Sequence, residues 1–277
     1  MKKRPPFKTH GGKHYLAQFI IDQFPENYET MTYVEPYSGA GSVFFNKKRS
    51  VEECLSDIHP GIYQILVALR DEPQEFVKRL KKIDYSQEAF DHNLAKIKFD
   101  DYLCQAVNEF VLRRMSRGGL KKAFSWSKRE RGGKPGDVNA WLTILEELPI
   151  LAMELKSVYI MNEPALKVID AFNNENTLLY VDPPYLPETR VSTDAYEYDM
   201  TTDDHIKLAD KLNNFKGKVI LSGYPSKLYK RLYCTEKTIV KDKPQKPKWR
   251  IERKMIVNNA SQVKSKDYKI EMLWLNF

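Results

Sequence analysis

Short segments rich in β-branched or aromatic residues alternate with helical patterns along most of this chain, and this alternation constrains its fold more than any other feature. Such an order predicts an α/β domain built on a largely parallel sheet. The segments with strand character are 32–36, 51–57, 157–161, 177–182, 218–222, 250–257 and 268–275. The helical patterns cover 13–24, 62–70 and 202–214, and the last of them opens on a candidate capping box, Thr201-x-x-Asp204.

A mostly helical stretch between residues 61 and 155 interrupts the alternation. It contains the helical patterns 62–70, 75–83, 101–115 and 138–155 and has little strand character. We therefore predict two domains. Residues 1–60 and 156–277 form the α/β domain, and residues 61–155 form a helical insert.

The net positive charge of the chain comes from one segment of this insert. The 277 residues carry 45 Lys+Arg and 37 Asp+Glu, a formal net charge of +8. Residues 113–134 hold nine positive charges and one negative charge, so the rest of the chain is neutral. Phe124 and Trp126 lie between the charges; aromatic rings stack on bases, and Lys and Arg neutralise phosphates. A nucleic-acid surface is one interpretation of the segment, and a solvated loop is the other.

Several protein classes are excluded at this point. No apolar run approaches the roughly 18 residues of a membrane helix, and no apolar stretch follows the basic N-terminus. Three scattered cysteines, Cys54, Cys104 and Cys234, argue against a disulfide scaffold or a zinc site and favour a reducing compartment. We expect a cytoplasmic protein with no membrane association and no metal site.

Two features near the N-terminus suggest a cofactor site. Residues 35–42 read Glu-Pro-Tyr-Ser-Gly-Ala-Gly-Ser and follow a predicted strand, where glycine lets the backbone bend and a cofactor approach. The third glycine of the dinucleotide fingerprint is missing, so a pyrophosphate site is not supported. Asp57 ends the next strand, where a carboxylate suits a ribose diol. A plain strand–helix turn and a helix cap are the alternatives; together the features favour an adenosine-containing cofactor that is not a dinucleotide.

The tetrapeptide Asp182-Pro183-Pro184-Tyr185 follows the apolar run 178–181, which is too short for a helix and is predicted to be a buried strand. Ligands bind at the carboxyl ends of such strands. The two prolines lack N–H donors and restrict φ, so the backbone offers carbonyl acceptors beside a carboxylate and an aromatic ring. This combination suits an exocyclic amino group of a base.

With Gly11-Gly12-Lys13 upstream and residues 271–276 (Glu-Met-Leu-Trp-Leu-Asn) at the end, this order of motifs resembles the Dam-like (D12 class) N6-adenine-specific DNA methyltransferases of bacteria and phages. The resemblance implies a Rossmann-like, S-adenosylmethionine-dependent methyltransferase sheet (1–60 and 156–277). It also implies that the helical insert (61–155) recognises double-stranded DNA. It implies direct methyl transfer to N6 of an adenine that has left the base stack.

The resemblance also assigns roles to residues. The catalytic residues would be Asp182, Pro183, Pro184 and Tyr185, with Asp182 and the Pro183 carbonyl accepting the amino N–H bonds and Tyr185 stacking on the base. The cofactor-binding residues would be Thr9, Lys13, Glu35, Pro36, Tyr37, Ser38, Gly39, Gly41, Asp57 and Asp182. The DNA-binding residues would be Arg113, Arg114, Arg117, Lys121, Lys122, Lys128, Arg129 and Arg131.

Two alternatives stay open from the sequence: an N4-cytosine DNA methyltransferase, and a DNA-binding relative without catalysis. The chain contains no Pro-Cys dipeptide, which argues against C5-cytosine chemistry. Thr9 stands where relatives often have Trp, and Arg117-Gly118-Gly119-Leu120 stands where the GATC-methylating members have Tyr-Asn-Gly-Leu, so GATC recognition is not implied. A cognate restriction endonuclease is a candidate partner, and the oligomeric state is not predicted.

Overall fold

A seven-stranded sheet forms the centre of the protein. The computed structural model describes residues 3–127, 129–131, 133–189, 197–233, 239–240, 243–244, 249–257 and 268–277. The strands are β1 (Thr32–Glu35), β2 (Glu52–Ser56), β3 (Glu130–Arg131), β4 (Lys134–Pro135), β5 (Tyr159–Met161), β6 (Thr177–Val181), β7 (Lys218–Gly223), β8 (Ile239–Val240), β9 (Lys243–Pro244), β10 (Arg250–Val257) and β11 (Tyr268–Leu275). The pairs β3–β4 and β8–β9 are short hairpins outside the main sheet.

The main sheet has the strand order β10-β11-β7-β6-β1-β2-β5. Its five strands β5, β2, β1, β6 and β7 are mutually parallel, and β11 runs antiparallel to β7 and β10. The order of the parallel strands reverses beside β1, since β1 pairs with both β2 and β6. In open α/β sheets, such a switch point is where ligands bind, beyond the carboxyl ends of the strands.

Nine α-helices flank or extend this sheet in the part of the chain that the structure describes. They are α1 (Ala17–Ile21), α2 (Pro60–Asp71), α3 (Pro73–Leu80), α4 (Gln87–Ala95), α5 (Tyr102–Met115), α6 (Gly136–Leu155), α7 (Ala165–Ala171), α8 (Thr202–Asn213) and α9 (Lys227–Leu232). None of these helices has the length and apolar character of a membrane span.

Side-chain caps fix where several helices begin. The Ser86 hydroxyl accepts from Ala89 N at the start of α4, and the Asp101 carboxylate accepts from Cys104 N at the start of α5. The predicted capping box of α8 is present, because Thr201 and Asp204 each accept from the other's backbone N–H. These bonds satisfy donors that the first turn of a helix leaves without partners.

The buried strands carry one hydrophobic core on each face. On β6, Leu178 and Tyr180 belong to one apolar cluster, and Leu179 and Val181 belong to the other. Helices α2 to α6 connect β2 to β5, and their buried residues continue the first cluster. The helical insert therefore packs its core against one face of the sheet instead of enclosing a core of its own.

The expected elements are largely present. All seven predicted strands form, with bounds that differ by at most two residues. The helix expected over 13–24 is wrong in extent, since only Ala17–Ile21 is helical. Lys13 precedes the helix in irregular structure, and its side chain pairs with Asp182. After the glycine turn, residues Phe44–Asn46 form a single 3-10 turn. Helices α4, α7 and α9 were not predicted.

Candidate active site

A cavity of about 1120 Å³ lies at the carboxyl ends of β1, β2 and β6, between the sheet and the helical insert. Its volume exceeds the roughly 300–1,000 Å³ of ordinary small-molecule sites. The sheet side of the cavity wall includes Thr9, Lys13, Glu35, Tyr37, Ser38, Gly39, Asp57, Asp182 and Pro184. The insert contributes Leu112, Arg113 and Gly119–Lys122 to the opposite wall, and residues 197–200 complete it.

The glycine turn after β1 has the backbone that only glycine adopts readily. Gly39 has φ of 50° and Gly41 has φ of 66°. A Cβ added to Gly41 would lie 3.1 Å from the Phe45 ring. The turn is tied to the next strand because Gly39 N donates to the Asp57 carboxylate at 2.9 Å. Positive φ values and close contacts thus account for both glycines.

Asp57 connects the turn to α2. One carboxylate oxygen accepts from Gly39 N, and the other accepts from His59 N at 2.9 Å. Burial raises the pKa of Asp57, and these two backbone donors oppose the shift. The carboxylate therefore orders the strand–helix connection and lines the cavity, but it does not cap α2, whose N-cap is His59.

The Ser38 side chain lies at the cavity wall with its hydroxyl buried. The residue is buried and lines the cavity, and its Oγ makes no hydrogen bond within the described residues. Buried hydroxyls normally have a partner, so an orphaned Oγ at a cavity wall is typical of a ligand contact.

Glu35 is buried at the end of β1. Its carboxyl accepts a hydrogen bond from the Tyr33 hydroxyl at 2.7 Å. Burial raises the pKa of Glu35 to about 8, against the opposing effects of Tyr33 and Lys47. Next to it, Pro36 is buried and Tyr37 lines the cavity. Glu35 thus presents a largely protonated carboxyl near neutral pH, which can donate as well as accept.

Lys13 and Asp182 form an ion pair inside the site. The Lys13 Nζ lies 2.8 Å from Asp182 Oδ1 and donates to Gly11 O at 2.9 Å. Lys13 is 6% exposed. Burial raises the pKa of Asp182, and the Lys13 ammonium opposes that shift. Thr9 lies beside them, where its backbone O accepts from Gly12 N and its side chain covers Gly39.

Tyr185 does not line the large cavity. Its hydroxyl donates to the Glu271 carboxylate, and its ring meets Tyr224 edge-on with centroids 4.7 Å apart. The Lys13 Nζ lies 4.7 Å from the ring centroid. The ring is buried beside a small recess that Tyr224 and Tyr229 also line. Stacking of Tyr185 on a base stays a prediction, whereas Pro184 does line the cavity.

Glu271 is a member of the site to which the sequence assigned no role. It is 1% exposed and lies 3.9 Å from the Lys13 Nζ. Because β11 is antiparallel, its first residues lie at the edge where the parallel strands end; Met272 pairs with Gly223 there. The sequence signal that could have identified Glu271 is a single carboxylate within a largely apolar strand.

A charge network joins the insert to the sheet across the cavity wall. The Lys121 Nζ lies 3.0 Å from Glu109 and 2.8 Å from Glu197. The Glu197 carboxylate also contacts His59. The His59 hydrogen bond, with smaller contributions from Lys121, lowers the pKa of Glu197 to about 2. The motifs singled out none of Glu109, Glu197 and His59.

The basic residues expected to contact DNA divide into two groups. Arg113 is buried and pairs with Glu109 at 2.7 Å on the inward side of α5. Arg114 is half-buried and donates to Ala140 O at 2.9 Å, and burial lowers its pKa. Neither arginine is exposed on the outer surface, although Arg113 also lines the cavity. Their contact with DNA stays a prediction. The exposed members are Arg117, Lys122 and Arg129, and Lys121 is partly buried.

Two of the residues expected to contact DNA, Lys128 and Arg131, have side chains outside the described part of the structure. Lys128 lies outside the described residues, and only the backbone of Arg131 is described, as part of the hairpin β3–β4.

Residues 10–246 match the family model for D12 class N6 adenine-specific DNA methyltransferases. The chain is 26% identical over 262 residues to the Type II methyltransferase M.MjaIII of Methanocaldococcus jannaschii, covering 84% of this chain and 89% of that protein. It is 26% identical over 251 residues to a DNA adenine methylase of Vibrio cholerae, covering 84% and 86%. A solved rRNA methyltransferase, aviRa of Streptomyces viridochromogenes, aligns with a TM-score of 0.42 at 12% identity, over 99% of this chain and 87% of that one.

Proposed function

Because the chain belongs to the D12 class of N6 adenine-specific DNA methyltransferases, an enzyme family that methylates adenine N6 in DNA, we propose that its cavity binds S-adenosylmethionine and one extruded adenine of duplex DNA. The observation that carries the proposal is Asp182, which follows the central strand β6 at the cavity wall and pairs with buried Lys13. The cavity volume of about 1120 Å³ leaves room for two ligands side by side.

The glycine turn fits the cofactor. Ser38 Oγ, which has no hydrogen-bond partner among the described residues, would bond to the cofactor, and the open backbone of Gly39 and Gly41 would lie against it. Asp57 would accept from ribose hydroxyls with lone pairs that its two backbone donors leave available. The remaining proposed contacts are Thr9, Lys13, Glu35, Pro36, Tyr37 and Asp182. When bound, S-adenosylmethionine supplies a methyl group on a positively charged sulfur.

Asp182 and the Pro183 carbonyl would accept the two N–H bonds of the adenine amino group. Acceptors on both N–H bonds favour localisation of the nitrogen lone pair, which otherwise delocalises into the ring. They also stabilise the positive charge that grows on nitrogen during methyl transfer. Pro184 limits the backbone to the conformation that presents this carbonyl. Asp182, which would already accept one N–H bond, would also take the proton that the methylated nitrogen must lose.

Lys13 would keep Asp182 ionised. A carboxyl buried to this degree gains a proton unless a cation lies close to it, and a protonated Asp182 loses acceptor capacity. The 2.8 Å contact with the Lys13 ammonium supports this role. Lys13 therefore stabilises the ionised form of Asp182, which accepts the amino N–H bond. This role is in addition to the cofactor contact that the sequence suggested.

The exposed part of the basic segment would hold the duplex. Arg117, Lys122 and Arg129 are exposed and are proposed to contact phosphates, which position DNA without reading sequence. Adenine must leave the stack before it reaches Asp182, which costs a few kcal/mol that contacts of this kind offset. A cognate restriction endonuclease stays a candidate biological partner.

The test is methyl transfer from tritiated S-adenosylmethionine to duplex DNA, followed by nucleoside analysis. We expect N6-methyladenine from the wild type and a loss of at least about 100-fold in Asp182→Asn, since one electrostatic contact in a transition state contributes about that factor. Asp170→Asn is the matched control, because Asp170 forms an exposed pair with Lys211 away from the cavity. Near-normal transfer by Asp182→Asn, or N4-methylcytosine as the product, would contradict the proposal.

A further inference from the structure

Trp126 differs from every other tryptophan of the chain. Trp141, Trp249 and Trp274 are at most 2% exposed, whereas Trp126 is 53% exposed. Large aromatic side chains usually lie inside, and at interfaces they provide much of the binding energy. An indole left half in solvent on a strongly basic segment is therefore a candidate contact surface.

The indole has a rigid backing. Its ring lies roughly parallel to Phe124, with an angle of 27° and centroids 6.2 Å apart. Phe124 in turn packs against Tyr85 and Phe90. The Tyr85 hydroxyl donates to Ser125 O at 2.7 Å, which holds the backbone just before Trp126. The exposed ring thus extends from a packed aromatic cluster, and less conformational entropy is lost when a partner covers it.

Trp126 also follows the loop that faces the cavity. A bridge between Ser116 and Phe124, together with the bond from Ser125 N to Met115 O at 2.7 Å, closes this loop. Residues 119–122 of the loop line the cavity wall, and Arg117 and Lys122 are exposed on it. The ring therefore lies next to the point where this basic loop ends. Other residues of the same loop contribute to the candidate active site.

We propose that the Trp126 indole stacks on a base of the DNA substrate beside the position that the target adenine leaves. Extrusion of a base uncovers the flat faces of its neighbours, and an aromatic ring can cover such a face. Stacking requires no particular base, so this contact adds affinity without setting the recognition sequence. The inference rests on the proposed function, since it takes DNA as the partner.

The first test uses the fluorescence of the protein. Because Trp126 is the exposed tryptophan, stacking should quench its emission when duplex DNA containing adenine is added, and Trp126→Phe should lose this quenching. Binding is followed independently by the polarisation of a fluorescein-labelled duplex. Quenching equal to wild type in Trp126→Phe, or none in the wild type while polarisation reports binding, would overturn the inference.

The second test separates stacking from phosphate contact. Trp126→Ala should weaken DNA binding about tenfold, the effect of losing one stacked base, with the slope of log affinity against log salt unchanged. Arg129→Gln is the matched control and should lower that slope by about one while the quenching persists. Trp126→Ala should bind S-adenosylmethionine with wild-type affinity, which verifies the fold.

The two proposals fail in different ways. Wild-type affinity of Trp126→Ala for DNA overturns the stacking role alone. A wild-type protein that neither binds DNA nor methylates adenine overturns the proposed function and the stacking role with it.

Discussion

The carboxyl edge of the sheet and the basic segment of the insert both concentrate charged residues, yet they use them differently. At the sheet edge, the buried Lys13 ammonium lies close to two carboxylates, that of partly buried Asp182 and that of buried Glu271. In residues 113–134 the charges are split between an interior group, such as Arg113, and exposed residues such as Arg117. The number of charges in a segment therefore does not tell how many of them face a partner.

The largest expected effect is that of removing the buried cation of the sheet edge. Lys13→Met removes the cation that lies beside both Asp182 and Glu271, and breaking a buried pair costs about 3–5 kcal/mol in the free energy of unfolding, measured by urea denaturation. Because Lys13 opposes the rise of the Asp182 pKa, the pH profile of methyl transfer should move to higher pH. A profile identical to wild type would show that Asp182 does not depend on Lys13.

The next effect concerns Glu35, whose pKa burial raises to about 8. Between the ordinary value near 4.5 and about 8, the folded protein binds a proton that the unfolded chain releases. Stability should therefore fall as pH rises through this window, by at most about 1.4 kcal/mol per pH unit for one group. Glu35→Gln should remove this part of the slope, measured by denaturation from pH 5 to 9. Parallel curves for the two proteins would contradict the assignment.

Two arginines of the basic segment should behave in opposite ways. Arg113→Met breaks a buried contact with Glu109, although Lys121 remains beside that carboxylate, so we expect a loss of about 2 kcal/mol in stability. Arg117→Met should change stability by less than about 0.5 kcal/mol and should weaken DNA binding instead. If Arg113→Met kept full stability and lost DNA affinity, the division of the segment into interior and exposed groups would be wrong.

The smallest effects are those of single exposed cations. Arg117→Gln and Lys122→Gln should each lower the slope of log affinity against log salt by about one, because each neutralises one phosphate. Lys78→Gln is the control, since Lys78 is an exposed lysine that pairs with Glu75 on α3, outside the basic segment. Unchanged slopes in the first two variants would show that the exposed group does not contact phosphates.

Local patterns predicted the sheet edge well for a physical reason. A short apolar run that ends in Asp182-Pro183 leaves few structures other than a buried strand with a carboxylate at its end, and the same holds for Asp57 after β2. Glycines with positive φ, such as Gly39, are required by the turn itself. These signals depend on neighbours in the chain, so they are visible without the fold.

The residues that were missed depend on distant contacts. Glu271 lies in the site only because β11 runs antiparallel to the other strands, which no motif reports. Arg113 lies inward because of how α5 packs, and a charge count contains no information about helix faces. Helix α4 is weakly amphipathic, with Phe90 and Asn93 as its buried residues, so its pattern did not stand out.

The contact between Lys13 and Glu271 has a consequence for the timing of assembly. Their positions differ by 258 residues, and they lie 3.9 Å apart in the folded protein. A ribosome adds about 5–20 residues per second, so Lys13 is made on the order of 10–50 s before its second carboxylate exists. During translation, the end of β6 with Asp182 can form while the Lys13 ammonium still lacks Glu271. The surroundings of Lys13 are complete only when β11 has been made.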